Sequence, residues 1–429
     1  MRNARKSAAR ARLRPILAAL GFSLGLGLGL TLPGRSSAAP TAPPLESGCA
    51  AAALVDPAFR DAAVLMMRRL VVRAPGQISD GAIRRTLSPA HVDASGRAWH
   101  HIAAYEANLG LIGALRIDPT LREEAARWLR WQIRHLPVDG QDRGVLFDRW
   151  ISADGREMTV CPPDIEPRHC RQIDATDSTI ASMFLLAQAY LRHGGDPALL
   201  RDPVIERAFR RAATTLAQLQ QPDGLSHAKL DHPVSYLMDA VEVAAGWRAL
   251  AALQQEVWKQ PAVAELSRER ERRTWRGIEQ VLWQPQAGLW LTSAGAAPVQ
   301  SGRWYPDVMA QAWPLLWSLP EDRLTRERGR QAWQRVSARW PEWPRRNVDP
   351  AGFWWPAAAV AAHCSGDGRA AAEWVARARA AWLRPDTPFA WPFQVSDLLW
   401  LLWLAEPGPP QAPLPEPLDV AAPASGRKP

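Results

Sequence analysis

The chain has 429 residues, which is long for one domain, and no linker-like composition divides its central part. Its formal charge of +9 is mostly local, because residues 1–39 carry seven basic side chains and no acid, and without them the balance falls to +2. Only four lysines occur and no basic run is interleaved with aromatics, so a nucleic-acid partner is excluded on the usual criteria.

Taken in chain order, the first element reads as an export signal. Arg2, Arg5, Lys6, Arg10, Arg12 and Arg14 precede an apolar run from Ile16 to Leu32, and Ser36-Ser37-Ala38-Ala39 supplies small residues for cleavage. The run contains Gly21, Gly25, Gly27 and Gly29 and is short for a membrane span. Residues 1–39 are therefore expected to be removed, leaving a periplasmic or secreted protein with no stable membrane insertion. Residues 40–49 form a Pro-rich spacer, and 406–429 form a Pro/Ala-rich tail expected to be disordered.

Between them, residues 50–405 show helical periodicity throughout. The pattern predicts about twelve helices, over 58–73, 100–116, 119–136, 175–193, 200–220, 235–255, 261–283, 305–318, 321–339, 354–365, 368–383 and 393–404. Two types alternate. Thr179 to Leu191 and Ala310 to Leu319 are apolar on nearly every face and must be surrounded by other helices. Glu265 to Trp283 and Arg323 to Trp340 carry dense charged rows on one side and face solvent. Six inner and six outer helices joined by short turns describe an all-α (α/α)6 toroid. One excursion, Pro137 to Ile173, holds a predicted β-hairpin in which Gly144 to Trp150 and Arg156 to Val160 flank the turn Ala153-Asp154-Gly155.

Four cysteines suit an oxidising compartment. A Cys161–Cys170 bridge would close a small ring worth about 2.7 kcal/mol; two free thiols, or pairing with Cys49 or Cys364, are the alternatives. No CxxC pair or clustered histidine spacing suggests a metal, and no cofactor is expected.

The functional signal is a recurring cluster of an aromatic with a carboxylate or amide at the start of apolar helices. In a closed double ring these clusters meet at one mouth, and a cleft lined by carboxylates and indoles suits carbohydrate. Hydrolysis of a glycosidic bond needs a protonated carboxyl at the leaving oxygen and a second carboxylate across the sugar. The candidates for that chemistry are Glu106, Asp177, Asp239 and Asp307. Glu106, beside Tyr105 and ahead of an apolar stretch, suits a general acid because desolvation holds a proton to higher pH. Asp177, one turn into its helix, suits an anion favoured by the helix dipole. Asp174 directly precedes that helix and reads first as a cap. Tyr105, Asn108, Asp148, Trp150, Asp174, Tyr236, Glu242, Trp304, Tyr305, Trp354, Trp355 and Trp391 are candidates for holding the sugar, although packing competes with stacking for each aromatic.

The run Asp177-Ser178-Thr179-Ile180-Ala181 through Ala187 resembles the Asp-x-x-Ile-Ala-x-x-x-x-x-Ala signature of family 8 endoglucanases and chitosanases, and the region from Phe59 to Leu404 looks like the six-hairpin (α/α)6 glycosidase superfamily. That resemblance implies a glycoside hydrolase, and inversion, which requires carboxyls about 6.5–9.5 Å apart. The family's signature carries an earlier aspartate where this chain has Ala175, and its acid lies in Ser-Glu-Gly where Glu106 lies in Tyr-Glu-Ala. Three other readings stay open. A non-catalytic glycan-binding toroid shares the pattern, and a polysaccharide lyase would use a Tyr/His pair such as Tyr236 and His232. Gln284 to Trp290 resembles a terpene-cyclase motif.

Overall fold

A computed structural model describes Cys49 and residues 52–139, 144–299, 302–318 and 322–407. The expected export signal and most of the expected spacer and tail lie outside the described residues.

Thirteen α-helices occur among the described residues: α1 Pro57–Leu70, α2 Ala104–Ile117, α3 Arg122–His135, α4 Thr176–Arg192, α5 Pro197–Arg201, α6 Pro203–Leu219, α7 Leu237–Glu256, α8 Pro261–Gly277, α9 Met309–Trp317, α10 Arg323–Ser337, α11 Pro356–Cys364, α12 Gly368–Trp382 and α13 Asp397–Ala405. Helices α2, α4, α7, α9, α11 and α13 pack each against the next, and α13 packs back on α2, closing an inner ring of six. Outside it, α1 lies on α13 and α2, α3 and α6 on α4, α8 on α7, α10 on α9 and α11, and α12 on α11. The all-α (α/α)6 toroid read from the sequence is the architecture found, with the one-turn α5 as an extra element. Composition explains the two layers: every residue of α9 and α11 is buried, whereas α8 buries only Ala264, Ser267, Thr274 and Gly277.

Close approach within the inner ring depends on missing side chains. A Cβ at Gly113 of α2 would sit 2.5 Å from Leu399 Cα of α13, and one at Gly246 of α7 would sit 2.5 Å from Ala181 Cβ of α4. Gly113→Ala is expected to destabilise the fold by about 1–3 kcal/mol despite the better helix propensity of alanine, measurable by denaturant titration. An unchanged midpoint would show that the helices can separate.

The sequence-predicted hairpin is present but is part of something larger. Strands β1 His91–Val92, β2 Ala98–Ile102, β3 Arg149–Ser152 and β4 Met158–Thr159 form one antiparallel sheet in that order. β2 occupies the residues where a helix was expected to begin at 100, and α2 starts only at Ala104. Residues 98–102 are instead held as a strand paired on both edges, with β1 on one side and β3 on the other. A small pair, β5 Trp283–Gln284 and β6 Leu289–Trp290, completes the strands. Both cysteine pairs are bridged: Cys161 to Cys170, as weighed, and Cys49 to Cys364.

Side-chain caps occur only on part of the outer layer, since α3, α8 and α10 have none. Asp56, Asp202 and Asp367 cap outer helices by accepting from backbone amides. None of the six inner helices has a side-chain cap.

Candidate active site

The inner-helix starts converge. Two adjoining cavities of about 1120 and 540 Å³ open there, sharing Asp174, Asp239, Lys229 and Tyr305 in their walls. The smaller is bordered by Tyr105 and Glu106 of α2, Ser178 of α4, Glu242 of α7, Trp313 of α9, Trp355 and Pro356 at α11, and Asp397 and Trp400 of α13. All six inner helices thus reach one cleft, together with Asp148 and Trp150 from the sheet side.

One wall is built around α7. Glu242 Oε1 accepts from the Tyr105 hydroxyl at 2.6 Å and from the Trp313 indole N–H at 2.8 Å. Burial pushes its carboxyl up to about 7, against the opposing pull of those two donors. Asp239, one turn earlier, is pushed well above the usual carboxylate range by burial and then by the charges of Asp177, Glu242 and Asp174. Asp174 is exposed to the cleft yet closely walled by protein. Desolvation, then Asp148, raises its proton affinity. It caps nothing, since α4 begins at the uncapped Ala175, so the capping role expected first for it is not realised.

The opposite wall joins α2 to α13. Arg85 Nε lies 2.9 Å from Glu106 Oε2 and donates to Gln394 Oε1 at 2.6 Å. The Arg85 backbone bonds His101 of β2 and Val395 ahead of α13. Glu106 is raised by burial, with Arg85 and His101 opposing. Asp397 is held well above its ordinary value by burial, with Glu106 adding to the shift. Beside them Asp148 Oδ2 lies 3.2 Å from His101 Nε2, and the His101 ring lies 4.8 Å from that of Trp150.

Several sequence candidates lie elsewhere. Asp177 is fully buried, accepting from the Ser226 hydroxyl at 2.5 Å and the Ser178 amide at 2.8 Å, and is raised to about 6 by burial. It borders neither cavity and acts on the site through its charge on Asp239. Asp307 pairs with Arg303 at 2.9 Å and also lies outside both cavity walls. Asn108 is spent within the protein, bonded to Ser182, Trp128 and Gln132. Trp304 packs among Trp333, Trp340 and Trp343, and Trp354 against Trp374 and Trp382, in the outer layer. Their neighbours Tyr305 and Trp355 face the cleft, stacked 5.0 Å apart. Tyr236 borders the larger cavity with its hydroxyl 3.0 Å from His232 Nε2. Trp391 stands at the rim, 5.4 Å from Phe353. Arg85, His101, Trp313, Phe353, Gln394 and Asp397 were not singled out as site residues by sequence reasoning. The aromatic and carboxylate cluster running from Trp391 to Asp397 is the sequence signal that bears on Gln394 and Asp397.

Among the described residues no group of three or more His, Cys, Asp or Glu is placed to hold a metal ion, and no helix is long and apolar enough to cross a membrane.

No protein-family profile matches the sequence, and neither does any curated protein. Among solved structures, the chain is similar to a rhamnosidase from Klebsiella oxytoca with rhamnose bound, at 12% identity and a TM-score of 0.48 over 83% of this chain. It spans 65% of that protein's length. It is also similar to Rex8A from Paenibacillus barcinonensis complexed with xylose, at 14% identity and a TM-score of 0.48, covering 81% of this chain and 92% of that one. A protein described as a wild-type glycosidase gives 16% identity and a TM-score of 0.46, again over 81% and 92%.

Proposed function

We propose that this protein is an exported glycoside hydrolase acting on an oligo- or polysaccharide by carboxylate acid/base catalysis, with inversion as the family resemblance implies. The observation that carries the reading is the facing pair of acid walls, Asp239 with Glu242 and Glu106 with Asp397, around one aromatic-lined cleft. Two environments that treat carboxyls differently are what acid/base catalysis requires. Asp239, pushed well above the usual carboxylate range by burial and by three neighbouring carboxylates, is assigned as the proton donor to the leaving oxygen. Glu106, beside the Arg85 guanidinium that opposes the upward push of burial, is assigned the role of activating water or stabilising positive charge at the anomeric carbon. Glu242, clamped by Tyr105 and Trp313, positions α7 and keeps Asp239 protonated by its charge.

The test is incubation of the mature protein with soluble glycans, scored for new reducing ends, with the anomeric configuration of the first product followed by NMR. A product absorbing in the ultraviolet would instead indicate elimination. Arg85→Met gives a sharper check. Losing the guanidinium raises the pKa of Glu106, so the acidic limb of the rate profile should move to higher pH while the alkaline limb stays. An unmoved acidic limb would remove Glu106 from the base role.

A further inference from the structure

The exposed aromatic side chains gather where the cleft opens. Among the described residues, the large aromatics that remain strongly exposed are Tyr236 (37%), Tyr305 (44%) and Trp391 (57%). The first two border the cavities. Trp391 lies just outside the smaller one, yet it is joined to it by a continuous series of rings. From Trp313, whose N–H donates to Glu242, the series passes to Trp355 at 6.2 Å, to Phe353 at 6.0 Å and to Trp391 at 5.4 Å. Trp355 and Phe353 line the cavity, whereas Trp391 stands more than half exposed beside Phe353.

The base beneath this series is fixed. Asp349, itself buried, accepts from the Trp355 indole N–H at 2.6 Å through one oxygen and from the Ala351 amide at 2.8 Å through the other. Its carbonyl accepts from Gly352, whose own carbonyl accepts from Asn347 at 2.5 Å. Gly352 has φ +88°, and a Cβ there would meet Trp391 Nε1 at 3.4 Å, so the turn carries the indole edge closely. A large ring held in place by a tight loop, and still more than half exposed, loses little entropy when a flat apolar surface settles on it.

We infer that Phe353 and Trp391 form an outer subsite that stacks a sugar ring of a chain whose reacting unit occupies the carboxylate cavity. The ligand class is therefore an oligosaccharide or polysaccharide chain rather than a simple monosaccharide glycoside. This rests on the carbohydrate reading of the cleft and is independent of whether the chain is cut there.

The experiment uses the mature chain, with Trp391→Ala, Trp391→Phe and Phe353→Ala, on an array of neutral and acidic oligosaccharides of graded length, followed by titration of the binders. Wild-type affinity should rise with chain length. Trp391→Ala should lose about tenfold on the longer members and nothing on the shortest, and Trp391→Phe should recover most of the loss. Because Trp391 is exposed, thermal melting of the variants should be unchanged, which separates lost stacking from lost folding. Wild-type affinity independent of length, equal loss at every length, or no loss in Trp391→Ala would each overturn the subsite. Length-dependent binding lost in Trp391→Ala with no hydrolysis by the wild type would keep the subsite and end the hydrolase proposal. Hydrolysis without length dependence would do the reverse.

Discussion

Glu106→Gln and Asp239→Asn are each expected to lower the rate of glycan hydrolysis by about 10²–10⁴-fold while far-ultraviolet circular dichroism stays that of the wild type. Both side chains border the cleft, and neither amide changes volume enough to disturb the packing. The two losses should differ in their pH dependence. Catalysis needs Glu106 ionised, so activity falls as pH drops through its raised pKa, and that limb disappears in Glu106→Gln. It needs Asp239 protonated, so activity falls as pH rises through the higher pKa of that group, and Asp239→Asn removes the alkaline limb. Asp307→Asn, whose carboxyl is engaged by Arg303 outside the cavity walls, should by contrast leave the rate within severalfold of wild type. Wild-type turnover in both Glu106→Gln and Asp239→Asn would dismiss the acid/base scheme.

The second large effect is on stability. Glu242 titrates at about 7 and Asp177 at about 6 in the folded protein, against ordinary values of 4.5 and 3.8. The folded chain therefore keeps these protons to higher pH than the unfolded chain does. Stability is greatest near the unfolded values and declines as pH rises from about 4 to about 7. For Glu242 alone the decline is on the order of 3 kcal/mol. Asp56 and Asp118, lowered by amide and arginine partners, work the other way and withdraw their contribution only below about pH 4. The melting temperature should accordingly be several degrees higher at pH 5 than at pH 8. Glu242→Gln retains an acceptor for Tyr105 and Trp313 and should flatten that slope. A melting temperature that rises between pH 5 and 8 would show that the acid cluster is not desolvated as described. Clustered acids that cost stability at neutral pH are expected where a site is kept for chemistry.

The double ring was legible because burial has a strong sequence imprint. Helices apolar on all faces, such as α9 and α13, alternate with one-sided ones such as α8 and α10, and their expected spans match those found to within a few residues at most ends. The acids were legible because α2, α4, α7 and α13 each carry a carboxylate in the first turn. The aromatics were harder, and the reason is geometric. Each of the pairs Trp304-Tyr305 and Trp354-Trp355 lies on extended backbone before an inner helix, with φ −115° and ψ 134° at Tyr305 and φ −61° and ψ 103° at Trp355. Successive side chains on such backbone point to opposite sides. One ring of each pair therefore enters the outer layer and the other the cleft, and sequence alone does not say which. Arg85 and His101 were missed for another reason. They belong to the sheet side, and the sequence showed the β3–β4 hairpin without the β2 strand that brings His101 to Asp148. Whether Asp177 lines the cleft was not legible, because a first-turn acid looks the same whether it faces solvent or, as here, Ser226.

A ring has a seam where its first and last staves meet, and here that seam is fastened several times. Cys49 is bridged to Cys364, Leu54 and Val55 donate to the Leu404 carbonyl, Asp56 pairs with Arg379, and Arg60 with Glu406. An open stack of hairpins frays from whichever end is weakest, because a terminal unit has only one neighbour to lose. With the ends latched to each other no hairpin is terminal, so the chain has no preferred place to begin unzipping, and the cleft keeps its shape for as long as the latch holds.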